Sequence, residues 1–264
     1  MTSFHRPLTS FCMLLSLSAC AMAPSDMSEG KAFTASTEAD SGIGGLLRLA
    51  DASLAGGDVD GGIKLLRQVM ARYPDSLEGQ RALAEAFFVV GALPEASIAF
   101  DQMRMLEGGQ LEGLLGLGRV ALAKGDAANA IGYFAEALES DPDEGRASNG
   151  LAVAYDYSSR HEEAQEIYNK ILARNPADHA VANNLALSQA LSGSIGPAIA
   201  GLSDLASGPA YLPEARFNLA LAYGMGGDLA AAREILEDEL DSQAVADNLA
   251  FYRQISPAAG GGSF

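Results

Sequence analysis

The sequence predicts an all-α chain of about six helical hairpins on a 34-residue period, closed by a lone C-terminal helix. Three observations predict it. The composition is dominated by helix formers: 48 Ala and 34 Leu in 264 residues, with 7% aromatics and no Trp. Pro74, Pro142 and Pro176 are spaced by 68 and 34 residues. Side-chain size also repeats in register. With Pro at position 32, the units start at Ile43, Leu77, Leu111, Gly145, His179 and Pro213. Position 7 is Leu in all six. Position 8 is Ala or Gly (Ala50, Ala84, Gly118, Ala152, Ala186, Ala220), as is position 20 (Gly62, Ala96, Ala130, Ala164, Ala198, Ala232). Position 24 is large and apolar: Leu66, Phe100, Phe134, Tyr168, Leu202 and Leu236.

In chain order, residues 1–19 read as a leader. A mildly basic start (His5, Arg6) precedes an apolar stretch, Leu8 to Leu17, that is too short to span a bilayer. It ends Leu17-Ser18-Ala19-Cys20, which resembles a bacterial lipobox; the other reading is an ordinary signal peptide with a chance cysteine. The resemblance implies cleavage before Cys20 and lipidation of its sulfur. Residue 21 is Ala rather than the Asp that marks inner-membrane retention in enterobacterial lipoproteins, so the same resemblance implies the periplasmic face of the outer membrane. Residues 20–41 read as a tether, with Pro24, Gly30, much Ser, Thr and Ala, and no helical apolar period. A flexible segment of that length spans roughly 25 Å.

Residues 42–256 read as the repeat domain. Each unit is expected to hold helix A, a turn and helix B. Small residues at 8 and 20 let the two backbones cross closely, and the large residue at 24 fills the space beside them. A glycine near position 15 (Gly57, Gly91, Gly125, Gly193, Gly227) is expected to end helix A in a left-handed cap. Asp58, Asp126 and Asp228 are placed to cap helix B, and Pro at 32 to stop it. Unit 4 has Ser159 where the turn glycine belongs. Unit 2 has Gly108-Gly109 in place of the closing Pro, and unit 6 runs short. Gln243 to Ala250 echoes His179 to Ala186, so that segment reads as a lone capping helix, which a solenoid needs at its end. Residues 257–264 read as a loose tail.

These residues resemble the tetratricopeptide repeat over 43 to about 241. The family's fold is a right-handed superhelix in which positions 2, 5, 9, 12 and 13 of each helix A line a concave groove. Carried onto this chain, the groove is charged early (Arg81, Arg119), polar and aromatic in the middle (Arg146, Asn149, Tyr157, Asn183) and apolar late (Leu187, Phe217, Leu221, Met225). The three arginines either hold a partner's carboxylate or are simply solvated. Phe217 and Leu221 either receive a partner's apolar segment or lie under the capping helix.

Catalytic and cofactor chemistry finds little support. His161-Glu-Glu-Ala-Gln165 lacks the second His of the zinc-protease HExxH pattern, and two Cys with three His offer no metal site. Gly116-x-Gly118-x-x-Ala121 mimics a dinucleotide loop, but it lies inside a helix with no preceding strand. No phosphate-binding loop ending in Lys-Ser/Thr and no nucleophile elbow is present. The reading is therefore non-enzymatic, without cofactor, metal or small-molecule substrate. A formal charge of −17 argues against nucleic acid.

Asn149-Gly-Leu-Ala-Val-Ala-Tyr-Asp156, Arg160 to Gln165, Ala182 to Gly193, Asn218 to Asp228 and Val245 to Tyr252 are similar to the TadD-type lipoproteins of tight-adherence (Flp) pilus assembly. That resemblance covers roughly residues 110 to 255 plus the lipobox. It implies an outer-membrane adaptor whose partner is a pilus-system protein, the secretin foremost. Two other readings stay open. One is an adaptor for outer-membrane protein insertion or peptidoglycan hydrolases; the other is an enzyme with accessory repeats.

Overall fold

The computed structural model describes residues 38–208 and 211–256, with side chains from residue 42. The leader, Cys20, the tether as far as residue 37 and the tail 257–264 lie outside the described residues. Among the described residues there are thirteen helices and no strand. They are α1 (Glu38–Ala55), α2 (Val59–Arg72), α3 (Leu77–Val89), α4 (Leu93–Arg104), α5 (Gln110–Ala123), α6 (Ala127–Ser140), α7 (Gly145–Tyr157), α8 (His161–Arg174), α9 (His179–Leu191), α10 (Ile195–Ser207), α11 (Pro213–Met225), α12 (Leu229–Glu237) and α13 (Ser242–Ile255). The first six pairs are the six expected hairpins, and α13 is the lone last helix. α1 begins at Glu38 and so takes in the last residues of the segment read as tether.

The punctuation follows the sequence. Gly57, Gly91, Gly125, Gly193 and Gly227 all have φ between 72° and 87°. Ser159, the exception in unit 4, takes the same left-handed conformation with φ 58°, at about 1–2 kcal/mol for an L-residue. Asp58, Asp126 and Asp228 accept hydrogen bonds from the amides of Gly61, Asn129 and Ala231 at 3.0, 3.2 and 3.0 Å. Helices α2, α6 and α8 end two residues before Pro74, Pro142 and Pro176.

Two compact units divide the chain between Leu151 and Ala152, within α7. In the first, consecutive helices α1 to α6 pack side by side. Its core joins Leu66, Phe100, Leu83, Phe87, Met103 and Leu117. In the second, α8 to α13 pack in the same manner, and α13 lies against both α11 and α12. Every large residue at position 24 is buried, as is every small residue at positions 8 and 20. Burying one such Leu or Phe stabilises by roughly 1.5–3 kcal/mol.

The glycines within α5 show why that helix is rich in them. A Cβ at Gly116 would lie 2.1 Å from the Phe100 ring. One at Gly118 would lie 2.6 Å from the Phe134 ring, and one at Gly150 would meet the same ring at 2.5 Å. The Gly116-x-Gly118 pattern is thus a seat for aromatic side chains.

Candidate functional site

The candidate surfaces, taken unit by unit, are the faces of the A helices (α1, α3, α5 and the start of α7 in the first unit, the end of α7, α9 and α11 in the second) that carry positions 2, 5, 9, 12 and 13. In the first unit the face is laced by ion pairs one repeat apart. Arg119 on α5 donates from Nη1 and Nη2 to the two carboxylate oxygens of Glu85 on α3, at 2.7 and 3.1 Å. The same guanidinium lies 4.4 Å over the Phe88 ring. Arg146 makes the equivalent fork to Glu112 at 3.0 and 2.6 Å, and also holds Glu144 from Nε and Nη2 at 3.0 Å each. Glu144 and then Glu112 raise the Arg146 guanidinium above its already high ordinary value. In return the Arg146 hydrogen bond holds the Glu144 carboxyl below the usual carboxylate range.

This geometry revises the reading of the arginines. Arg119 and Arg146 are not idle in solvent: each grips one or two of the chain's own carboxylates. Of the three, Arg81 is exposed and makes no ion pair among the described residues. Val89, at position 13 of α3, is 79% exposed. Asn149 is buried rather than presented.

In the second unit, Tyr157 is exposed at the end of α7. Asn183 is buried; its Oδ1 accepts from Nδ2 of Asn218 at 2.9 Å, so it ties α9 to α11 and is withdrawn from the surface. Leu221 is buried in a cluster with Leu236, Val245, Leu249 and Tyr252, the last three from α13. Leu187, Phe217 and Met225 are half-buried against the same cluster. α13 thus packs on part of the late apolar face, at Leu221, and leaves Leu187, Phe217 and Met225 partly exposed.

A polar network missed by the sequence reading lies beside this face. Asp156 Oδ1 accepts from Ser188 Oγ at 2.6 Å and sits 2.8 Å from Nδ1 of His161; Oδ2 accepts from Tyr168 OH at 3.0 Å. Gln165 Nε2 extends it to Ser192 Oγ at 3.1 Å. Three helices, α7, α8 and α9, are thereby joined. Burial pushes the Asp156 carboxyl above its ordinary range against the pull of these three partners. Burial likewise pushes the Tyr168 phenol well up, with the Asp156 charge adding to it. The set Ser188, His161 and Asp156 is not a hydrolytic triad. In a triad the serine donates to the imidazole and the imidazole to the carboxylate. Here serine and imidazole converge on one carboxylate oxygen, and Ser188 is fully buried. No group of His, Cys, Asp and Glu among the described residues could hold a metal ion.

Comparison with known proteins fits this architecture. Two tetratricopeptide-repeat family models match, one over residues 121–188 and the other over residues 45–76 and 214–238. The fold is that of the tetratricopeptide repeat. No curated protein sequence matches the chain significantly. Among solved structures, a tetratricopeptide repeat protein from Parabacteroides merdae ATCC 43184 is 13% identical, with a TM-score of 0.69 over 80% of this chain and 84% of that one. PilW, described as a widely conserved type IV pilus biogenesis factor, is 17% identical, with a TM-score of 0.66 over 82% and 99%. PilF of Pseudomonas aeruginosa is 17% identical, with a TM-score of 0.60 over 81% and 100%. At these identities the likeness establishes the repeat fold.

Proposed function

We propose that this tetratricopeptide-repeat chain is a non-enzymatic adaptor. A lipid on Cys20 anchors it to the periplasmic face of the outer membrane, and its A-helix faces hold a protein of the Flp/Tad pilus machinery, the secretin foremost. The observation that carries the adaptor role is the repeated presentation of side chains that the core does not use. Arg81 and Val89 are exposed on α3, and Tyr157 is exposed at the end of α7. Support for a pilus partner comes from the residue resemblance over 110 to 255 and from PilW's description as a pilus biogenesis factor. The lipobox resemblance at Leu17 to Cys20 supports the anchor. A lone acyl chain holds a protein to a bilayer only reversibly, so a lasting attachment needs the multiple chains of a bacterial lipoprotein. Tethering raises the local concentration of groove and partner without adding a contact.

The test is Cys20→Ser at native expression level. The variant is expected to fold, to leave the membrane fraction and to lose piliation. Full piliation by an unanchored variant would overturn the proposal.

A further inference from the structure

A helices in this fold use positions 3, 7 and 10 to stack. In α3 they are Gly79, Leu83 and Ala86, and in α5 they are Gly113, Leu117 and Val120; all six are buried. The same three positions are buried in α11 (Ala215, Leu219, Ala222) and in α13 (Val245, Leu249, Tyr252). The glycine contacts show what covers them in the first unit. A Cβ at Gly79 would meet Val69 Cγ1 at 2.8 Å and Met70 Sδ at 3.0 Å, both on α2. A Cβ at Gly113 would meet the backbone and Cβ of Arg104 on α4 at 2.4–2.7 Å. The covering element is in each case helix B of the preceding hairpin.

α1 carries the same stripe, and among the described residues no helix packs on it. Gly45, Leu49 and Ala52 are its positions 3, 7 and 10. A Cβ at Gly45 would touch nothing within 4 Å, Leu49 is 54% exposed, and Ala52 is exposed. A glycine therefore stands where repeats 2 and 3 need close approach, beside a leucine whose equivalents Leu83, Leu117 and Leu219 are buried and whose equivalents Leu151 and Leu185 are half-buried, and no helix B precedes it among the described residues.

The geometry points to α1 as a docking face for an amphipathic helix of another protein, seated as helix B of a preceding hairpin would be. The face continues the interface that already joins repeat to repeat, so its occupant has the chemistry of α2 and α4. Those helices present large apolar side chains three and four residues apart: Leu66, Val69 and Met70 in α2, and Phe100, Met103 and the stem of Arg104 in α4. Two other occupants fit less well. Residues 20–37, directly upstream of α1, carry Pro24 and Gly30 and no apolar period, and the apolar stretch Leu8 to Leu17 belongs to the leader read as cleaved. A second copy stacked head to tail would offer α13, whose outward residues Gln243, Asp247 and Arg253 are polar and exposed. The inference rests on removal of the leader and is independent of the pilus assignment.

The test uses a fluorescent peptide with the sequence of residues 59–73, the chain's own helix B, titrated against the full chain. Saturable binding is expected. Leu49→Glu and Ala52→Glu, both at exposed positions, are each expected to weaken it at least tenfold with unchanged helical circular dichroism. Ile98→Glu, on the exposed face of α4, is expected to leave it intact. A wild-type chain that does not bind the peptide would overturn the inference, as would binding unaffected by Leu49→Glu. A dimer in light scattering that Leu49→Glu converts to monomer would identify a second copy as the occupant and overturn it too.

Discussion

Phe134 is the residue at which the packing account can be broken most cleanly. Its ring is held between Gly118 on α5 and Gly150 on α7, at 2.6 and 2.5 Å from where their Cβ atoms would stand. Gly→Ala inside a helix gains about 1 kcal/mol from propensity alone. Forcing a methyl into a filled core costs about 1–3 kcal/mol. Each single substitution, Gly118→Ala or Gly150→Ala, should therefore be neutral or destabilise by up to about 2 kcal/mol. The double substitution blocks both faces of the ring, leaves it no direction in which to tip, and should destabilise by about 2–5 kcal/mol. Shrinking the ring reverses the sign. In a Phe134→Leu background, Gly150→Ala has room for its methyl and should stabilise by up to about 1 kcal/mol. The assay is urea unfolding with amide exchange read on α5 to α7, because local opening in a repeat array escapes a single global transition. A Gly150→Ala effect that is the same with Phe or Leu at 134 would show that the ring is not clamped and would refute the reasoning.

Other outcomes follow from the polar groups. Asp156→Ala strips the acceptor from buried Ser188 and Tyr168 and should destabilise the second unit by about 2–5 kcal/mol in chemical denaturation. The raised Asp156 carboxyl gives a pH signature: the folded form binds a proton more readily than the unfolded form, so wild type should gain stability relative to Asp156→Asn as pH falls from neutral through the folded-state value. Glu144 runs the opposite way. Its lowered value contributes stability that is present above the ordinary carboxylate range and lost as pH falls through the folded-state value, and Arg146→Met should abolish that acid sensitivity in thermal melts. Glu85→Gln breaks a fork whose members are about a quarter and two-fifths exposed, so unfolding should register under about 1 kcal/mol, diminished by added salt.

The 34-residue period carried most of the fold because it constrains many positions at once. Pro74 marks a helix end and Gly62 a close crossing, and neither requires knowledge of a distant partner. Leu49 shows the limit of the same pattern. It matches Leu83 and Leu117 in type and register, yet it is exposed because burial depends on a neighbouring hairpin rather than on the residue. The ion pairs were legible in principle. Glu85 and Arg119, like Glu112 and Arg146, are opposite charges 34 residues apart at one repeat position, and stacking brings equal positions together. The Asp156 network had no such signal. It joins position 12 of α7 to position 10 of α9 and to two residues of α8, a meeting set by the crossing of three helices. For the late apolar face, composition could not decide between partner and cap; Val245, Leu249 and Tyr252 of α13 share a buried cluster with Leu221, while Phe217 stays half-buried.

The adaptor role is tested most directly by photo-crosslinking in living cells of the native bacterium. A photoreactive amino acid is placed in turn at Arg81 and Tyr157 on the A-helix faces, and at Lys64 and Glu139 on exposed B-helix surfaces. The account predicts an adduct with a pilus-system protein, identified by mass spectrometry, from the A-helix positions and none from the B-helix positions. Adducts arising only from Lys64 and Glu139, or none from Arg81 and Tyr157 in cells that assemble pili, would contradict it.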